Sequence, residues 1–226
     1  MKKFLFETHA HTSETSPCGT VCGQVVVEHY KELGYSGVVI TDHLSADNFR
    51  RFGKSTAVEK ADFFLSGYRA AKRYETEDFK VILGAELRFT DDPSDFLIYG
   101  FNEDFLYEHE LDKFRDLEEF RPFADEHSLV VFQAHPFRVN IQVQNPKLLD
   151  GMEVYNSHPH HNSSNDIALA WAEKYSLRFI AGSDYHGQNC EIPGGIYTDE
   201  PITDSYKLRD ILLSGNYEVK TDKTAK

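Results

Sequence analysis

Short apolar runs of strand length recur along this chain, at residues 4–6, 37–41, 81–85, 96–100, 129–133, 152–155 and 178–181. Most do not alternate strictly, which suits strands buried on both faces of a parallel sheet. Helix-like stretches lie between most of them. Residues 25–33 stop at Gly34, Leu111, Phe114, Leu117 and Ala124 keep one helical face, and residues 167–175 follow the polar cluster Asn162-Ser163-Ser164-Asn165. This repeated β-α order, without a linker or an internal repeat, predicts an α/β barrel. One interval departs from it. Thr90-Asp91-Asp92-Pro93-Ser94 is too short to hold a crossover helix, so the flanking strands are expected to form an antiparallel hairpin.

At 226 residues the chain is long enough for one barrel, and a single domain over residues 1–220 is expected, followed by a polar tail from Thr221 to Lys226. An apolar fraction of 40%, with 17 Phe and 12 Tyr, excludes a disordered chain. The formal charge of -13 repels a nucleic-acid backbone and argues against long nucleic acid as the partner. The first apolar stretch ends at Glu7, too soon for a signal peptide or a membrane span. With three cysteines, an odd number, a reducing cytoplasm is the expected location. Cys18 and Cys22 are four apart, but no second pair follows, so they read as ordinary loop residues. Nothing in the sequence indicates an oligomeric state.

Ligand-type side chains fall at the ends of the predicted strands. His9 and His11 follow the first, Asp42 and His43 the second, and Glu86 ends the third; His135 follows residues 129–133, and Asp184 and His186 follow residues 178–181. In a parallel α/β sheet the carboxyl ends of strands share one face, so groups far apart in sequence converge there. Each piece alone is weak: His-x-His and Asp-His occur by chance, and a strand-end Glu often caps or pairs. Their joint occurrence points to a metal site, and in extended chain His9 and His11 project to the same side.

The segments Glu7-Thr8-His9-Ala10-His11-Thr12, Ile40-Thr41-Asp42-His43, Gly84-Ala85-Glu86, Ala134-His135-Pro136, Glu153-Val154-Tyr155-Asn156 and Gly182-Ser183-Asp184-Tyr185-His186 resemble, in order and over nearly the whole chain, those of the PHP (polymerase and histidinol phosphatase) superfamily of metallophosphoesterases. The resemblance implies a distorted (β/α)7, TIM-like barrel holding two to three divalent ions, zinc, manganese or iron. Carried over by position, His9, His11, Glu86 and Asp184 would bind one ion, and Glu86 would bridge to a second held also by His135. A third would sit between His43, His186 and a residue of the loop after His11, where the family often has histidine and Glu14 is the nearest candidate here. Asp95 stands where the family has a metal-binding histidine. It would either replace that ligand, moving preference from zinc toward manganese or iron, or merely support the acidic turn beside it.

Such ions would lower the pKa of a bound water and clamp phosphoryl oxygens, giving hydrolysis of a small phosphorylated substrate or nucleotide by metal-bound hydroxide. Arg138 is the expected phosphate clamp, with Arg88 a second choice. Asp42 is read as an acceptor behind the metals or a leaving-group acid, and His186 as part of the catalytic set. At least one of His158, His160 and His161 is expected to contact substrate. Two other readings compete. A barrel amidohydrolase would use a metal-bridging lysine and a lone late Asp, whereas this chain has Glu86 and Asp184-x-His186. A regulatory, non-catalytic module of the same family fits a nearly full ligand set less well.

Overall fold

Strand β1 (Phe4–Ala10) runs past its apolar residues through Glu7, Thr8 and His9, so His9 lies inside the strand and only His11 follows it. The computed structural model describes residues 3–187 and 193–222; Cys190 and the end of the polar tail lie outside that description. After β1 come α1 (Gly23–Glu32), β2 (Gly37–Ile40), the two-residue β3 (His43–Leu44), α2 (Ala46–Arg51), α3 (Ala57–Lys72), β4 (Lys80–Leu83), β5 (Ala85–Arg88) and β6 (Asp95–Tyr99). The second half holds α4 (Glu103–Glu108), α5 (Leu117–Glu126), β7 (Val130–Gln133), β8 (Gly151–Asn156), α6 (Asn165–Lys174), β9 (Arg178–Gly182), β10 (Gly195–Thr198), α7 (Ser205–Ser214) and β11 (Tyr217–Lys220).

Parallel pairing joins β1 to β2 and β2 to β4. The chain then passes Gly84 into β5, which pairs with β6 in antiparallel register, Ala85 opposite Ile98 and Arg88 opposite Asp95. That is the expected hairpin. β6 is also antiparallel to β7, a reversal the sequence reading did not anticipate, and β7, β8 and β9 continue in parallel. β9 comes back to β1, where Thr8 Oγ1 donates to the Ala181 carbonyl at 2.9 Å and His11 N to the Tyr185 carbonyl at 2.8 Å. With β4 and β5 counted as one broken strand, the staves close a distorted TIM-like barrel of seven, and β10 and β11 extend the sheet beyond β1.

The break at Gly84 corrects the place of Glu86, which belongs to β5 and not to the end of the preceding run. Helix α3 also went unread, although Thr56 and Glu59 form a capping box at its start. Its buried Ala61, Phe64, Leu65 and Ala71 pack toward the sheet, and helical spacing explains them.

Candidate metal centre

Five ligand-type side chains meet at the carboxyl ends of the barrel strands, all nearly inaccessible: His9, His11, Glu86, His135 and Asp184. Their orientation is set by a layer of groups behind them. His9 Nδ1 lies 2.9 Å from Glu153 Oε1, and a carboxylate can only accept, so Nδ1 carries the proton and Nε2 turns inward. Ser16 gives its one hydroxyl proton to Asp42 at 2.7 Å and therefore accepts from His11 Nδ1 at 3.1 Å. His11 Nε2 is thereby also turned inward. Gly182 is required for this packing, because a Cβ there would stand 2.5 Å from His9 Cβ and 2.8 Å from Glu153 Oε1.

His135 Nε2 is hydrogen-bonded to Glu86 Oε1 at 3.0 Å, whereas the inward nitrogens of His9 and His11 are close to the carboxylates without a hydrogen bond. His9 Nε2 is 3.2 Å from Glu86 Oε1 and 3.4 Å from Asp184 Oδ1; His11 Nε2 is 3.4 Å from Glu86 Oε2 and 3.3 Å from Asp184 Oδ1. His9 Nε2, His11 Nε2, Glu86 Oε2 and His135 Nδ1 have no hydrogen-bond partner although buried. A buried polar atom left so costs about 1–3 kcal/mol, which calls for a ligand. Two atoms sharing an ion at about 2.1 Å each stand about 3.0–3.4 Å apart, depending on the coordination angle, and the observed spacings match. The donor set fits divalent transition metal.

Electrostatics agree. Burial would raise Glu86 and Asp184, but the neighbouring imidazoles, His43 and His9 for Glu86 and His9 for Asp184, hold both well below the usual carboxylate range. Burial would lower His9, yet Glu153, Asp184 and Glu86 raise it well above an ordinary imidazole. The field that draws a proton onto His9 is the field that holds a cation. His135 (φ 27°) and Asp184 (φ 50°) both occupy the left-handed region just past their strands. Such conformations cost about 1–3 kcal/mol and gather at functional sites.

At the rim, His43 Nδ1 is 2.8 Å from Glu86 Oε2, and His11, His43 and His186 offer ring nitrogens within 4.8 Å of one another. Glu14, expected to complete this group, does not. Its carboxylate accepts from the Gly23 backbone N–H at 3.1 Å and caps the start of α1, where unpaired amides attract negative charge. Cys18 occupies the position instead, its Sγ 3.1 Å from His43 Nε2 and 3.0 Å from His186 Nε2. Burial would raise the Cys18 thiol, but the bonds to His186 and His43 bring it down to about 7. Asp42 is buried and holds the loop, accepting from Thr12 N, Thr12 Oγ1 and Ser16 Oγ at 2.7 Å each. Burial pushes it up to about 6 despite these bonds. Enclosed in this way, Asp42 stands behind His11 as an acceptor for the loop, as the first of its two expected roles requires.

Asp95 is 3.8 Å from His135 Nε2 and groups with His43 and Glu86, while Arg88 grips both of its oxygens at 2.7 and 2.6 Å. Arg88 is thus committed to Asp95. Arg138 donates to Asp184 Oδ2 at 2.7 Å and Asn156 Oδ1 at 3.0 Å, and its Nε is a buried donor without an acceptor. Of the three loop imidazoles, His158 groups with Asp184 and His186, whereas His160 and His161 are exposed. Burial lowers His158 to about 4. The residues missed by sequence reasoning as parts of the site were Glu153, Ser16, Glu7 and Cys18. Glu7 accepts from the backbone of His9 and Ser183 at 2.9 Å each. For Glu7 and Glu153 the signal was an acidic residue at an inward strand position.

The PHP domain profile matches residues 7–215. Sequence comparison with curated proteins gives no match. Among solved structures, PsfC from Pseudomonas syringae is similar with a TM-score of 0.68 at 14% identity, over 99% of this chain and 94% of that one. A two-domain protein from Bacteroides vulgatus containing a predicted PHP-like metal-dependent phosphoesterase superposes with a TM-score of 0.63 at 16% identity, over 96% of this chain but 64% of its own. A lesion-specific endonuclease from Pyrococcus furiosus gives 0.64 at 13% identity, over 96% of this chain and 58% of its own. At such identities the likeness establishes the fold.

Proposed function

Since the chain belongs to the PHP domain family, we propose that it is a metal-dependent phosphoester hydrolase acting on a small phosphorylated molecule or nucleotide. The observation that carries this reading is the convergence of the buried, unpaired Nε2 atoms of His9 and His11 on the Glu86 and Asp184 carboxylates at ion-sharing distances, with His135 Nε2 3.0 Å from Glu86. His9, His11, Glu86 and Asp184 would hold one divalent ion, and Glu86, His135 and Asp95 a second. Bound there, such ions would acidify water and neutralise phosphoryl charge. Glu86 spaces them. Glu153 and Ser16 keep His9 and His11 in the tautomers that face the ions. Arg138, beside Asp184 with a spare Nε donor, would hold a non-bridging phosphoryl oxygen, and His158 would meet the substrate from above.

Among the described residues no lysine is buried. That removes the bridging group a barrel amidohydrolase would use and favours phosphoester chemistry. The charge of -13 favours a short substrate over a long nucleic acid. Protein purified without chelator is expected to carry about two or more equivalents of transition metal. A screen of phosphomonoesters, nucleotides and phosphodiesters, run after chelation and again with manganese or zinc restored, should show hydrolysis only with metal. Absence of bound metal, with no activity gained on adding it, sinks the reading.

A further inference from the structure

The loop between His11 and α1 brings a sulfur to the point where the rim imidazoles converge. His186 Nδ1 lies 2.8 Å from the Asp184 carbonyl, which can only accept, so Nδ1 is the donor and Nε2 turns toward Cys18 Sγ at 3.0 Å. His43 Nε2 approaches the same sulfur at 3.1 Å. The placement is built into the backbone: Ser16 N donates to Thr12 O at 3.0 Å, Gly19 N to Ser16 O at 3.0 Å, and Thr20 N to His186 O at 2.9 Å. At Gly19 a Cβ would fall 2.6 Å from Thr12 O, so the turn after Cys18 needs glycine.

Beneath it lies His11, which groups with His43 and His186 as well as with His9 and Asp184. His11 is fully buried, its Nδ1 is occupied by Ser16, and its Nε2 has no hydrogen-bond partner. Its ring stacks on His186 at 4.2 Å and lies 4.5 Å from that of His43. An unpaired nitrogen and a sulfur thus approach the same pair of imidazoles. Beside them a cleft of about 350 Å³, lined by Cys18, His43, Asn48, Arg51 and Arg88, leads in from solvent.

The geometry points to Cys18 as a thiolate ligand of an ion held with His43 and His186, which gives the rim a sulfur-bearing donor set. This inference rests on the metal-dependent reading above. Thiolate and imidazole together suit zinc, whereas manganese and magnesium prefer oxygen. The rim therefore selects zinc, opposite to the preference that Glu14 and Asp95 as oxygen ligands would set.

Cobalt(II) titrated into the metal-stripped protein tests it, because a cobalt-thiolate bond has a near-ultraviolet charge-transfer band that nitrogen and oxygen ligands lack. Wild type should develop the band, and Cys18→Ser should lose both the band and one equivalent of zinc by metal analysis. Cys22→Ser should keep both. In the unaltered protein, zinc should also protect Cys18 from alkylation, read by mass spectrometry of its peptide. Ions bound without the band, a band that persists in Cys18→Ser, or alkylation indifferent to zinc would overturn the assignment of Cys18 and leave the hydrolase reading standing. If no ion binds at all, both fall.

Discussion

The floor of the barrel mouth and its rim are made of the same residue types on different terms. His9, His11, Glu86, His135 and Asp184 are 0–3% exposed, whereas the side chains of His43 and His186 are 23% and 13% exposed and Cys18 meets solvent. Floor residues stand in or just beyond strands and are backed by Glu153, Ser16 and Asp42. Rim residues come from β3 and from loops held by backbone hydrogen bonds and by Asp42. The floor is preorganised because burial makes every unpaired atom costly. The rim is the more open of the two, and there the Cys18 sulfur lies against His43 and His186.

The largest expected effect lies in the floor. Glu86→Gln and Asp184→Asn each remove a charge that no other group can supply, so phosphoester hydrolysis should fall by at least about 100-fold. Circular dichroism should show the fold intact. Near wild-type turnover in either variant would mean that the floor does not carry the chemistry. Next comes a residue that would touch no ion. Glu153→Gln should weaken metal affinity about 10–100-fold, since His9 loses the acceptor that fixes its tautomer. Competition with a chelator measures this, and unchanged affinity would show that strand geometry alone orients His9. The smallest effect belongs to the rim. His158→Ala should raise KM several-fold with little loss of metal, and by more than His160→Ala or His161→Ala, because His158 alone of the three groups with Asp184 and His186. Equal effects from all three would remove that distinction.

How much of this was readable in advance depends on whether a residue's role is local. The convergence of His9, His11, Glu86, His135 and Asp184 was legible because order along the chain implies a common face, although His9 stands within β1 and Glu86 within β5. The hairpin before β6 was legible from its five-residue link. The β6-β7 reversal was not, since a long connection containing two helices is compatible with either direction. Glu14 was named as the nearest candidate in the loop after His11, and Cys18 was read as an ordinary loop residue. The choice failed because α1 begins at Gly23 and its first amides draw the Glu14 carboxylate away.

Sequence by itself determined the α/β order, the ligand-type side chains that gather at the barrel mouth and the family resemblance, all properties of pattern along one dimension. Tertiary structure alone decided which nitrogen of each imidazole faces inward, that Arg88 binds Asp95, that Asp42 holds the loop, and that a sulfur stands between His43 and His186. Those are matters of a few tenths of an ångström between residues as far apart as Cys18 and His186. Only the closed barrel brings them within reach.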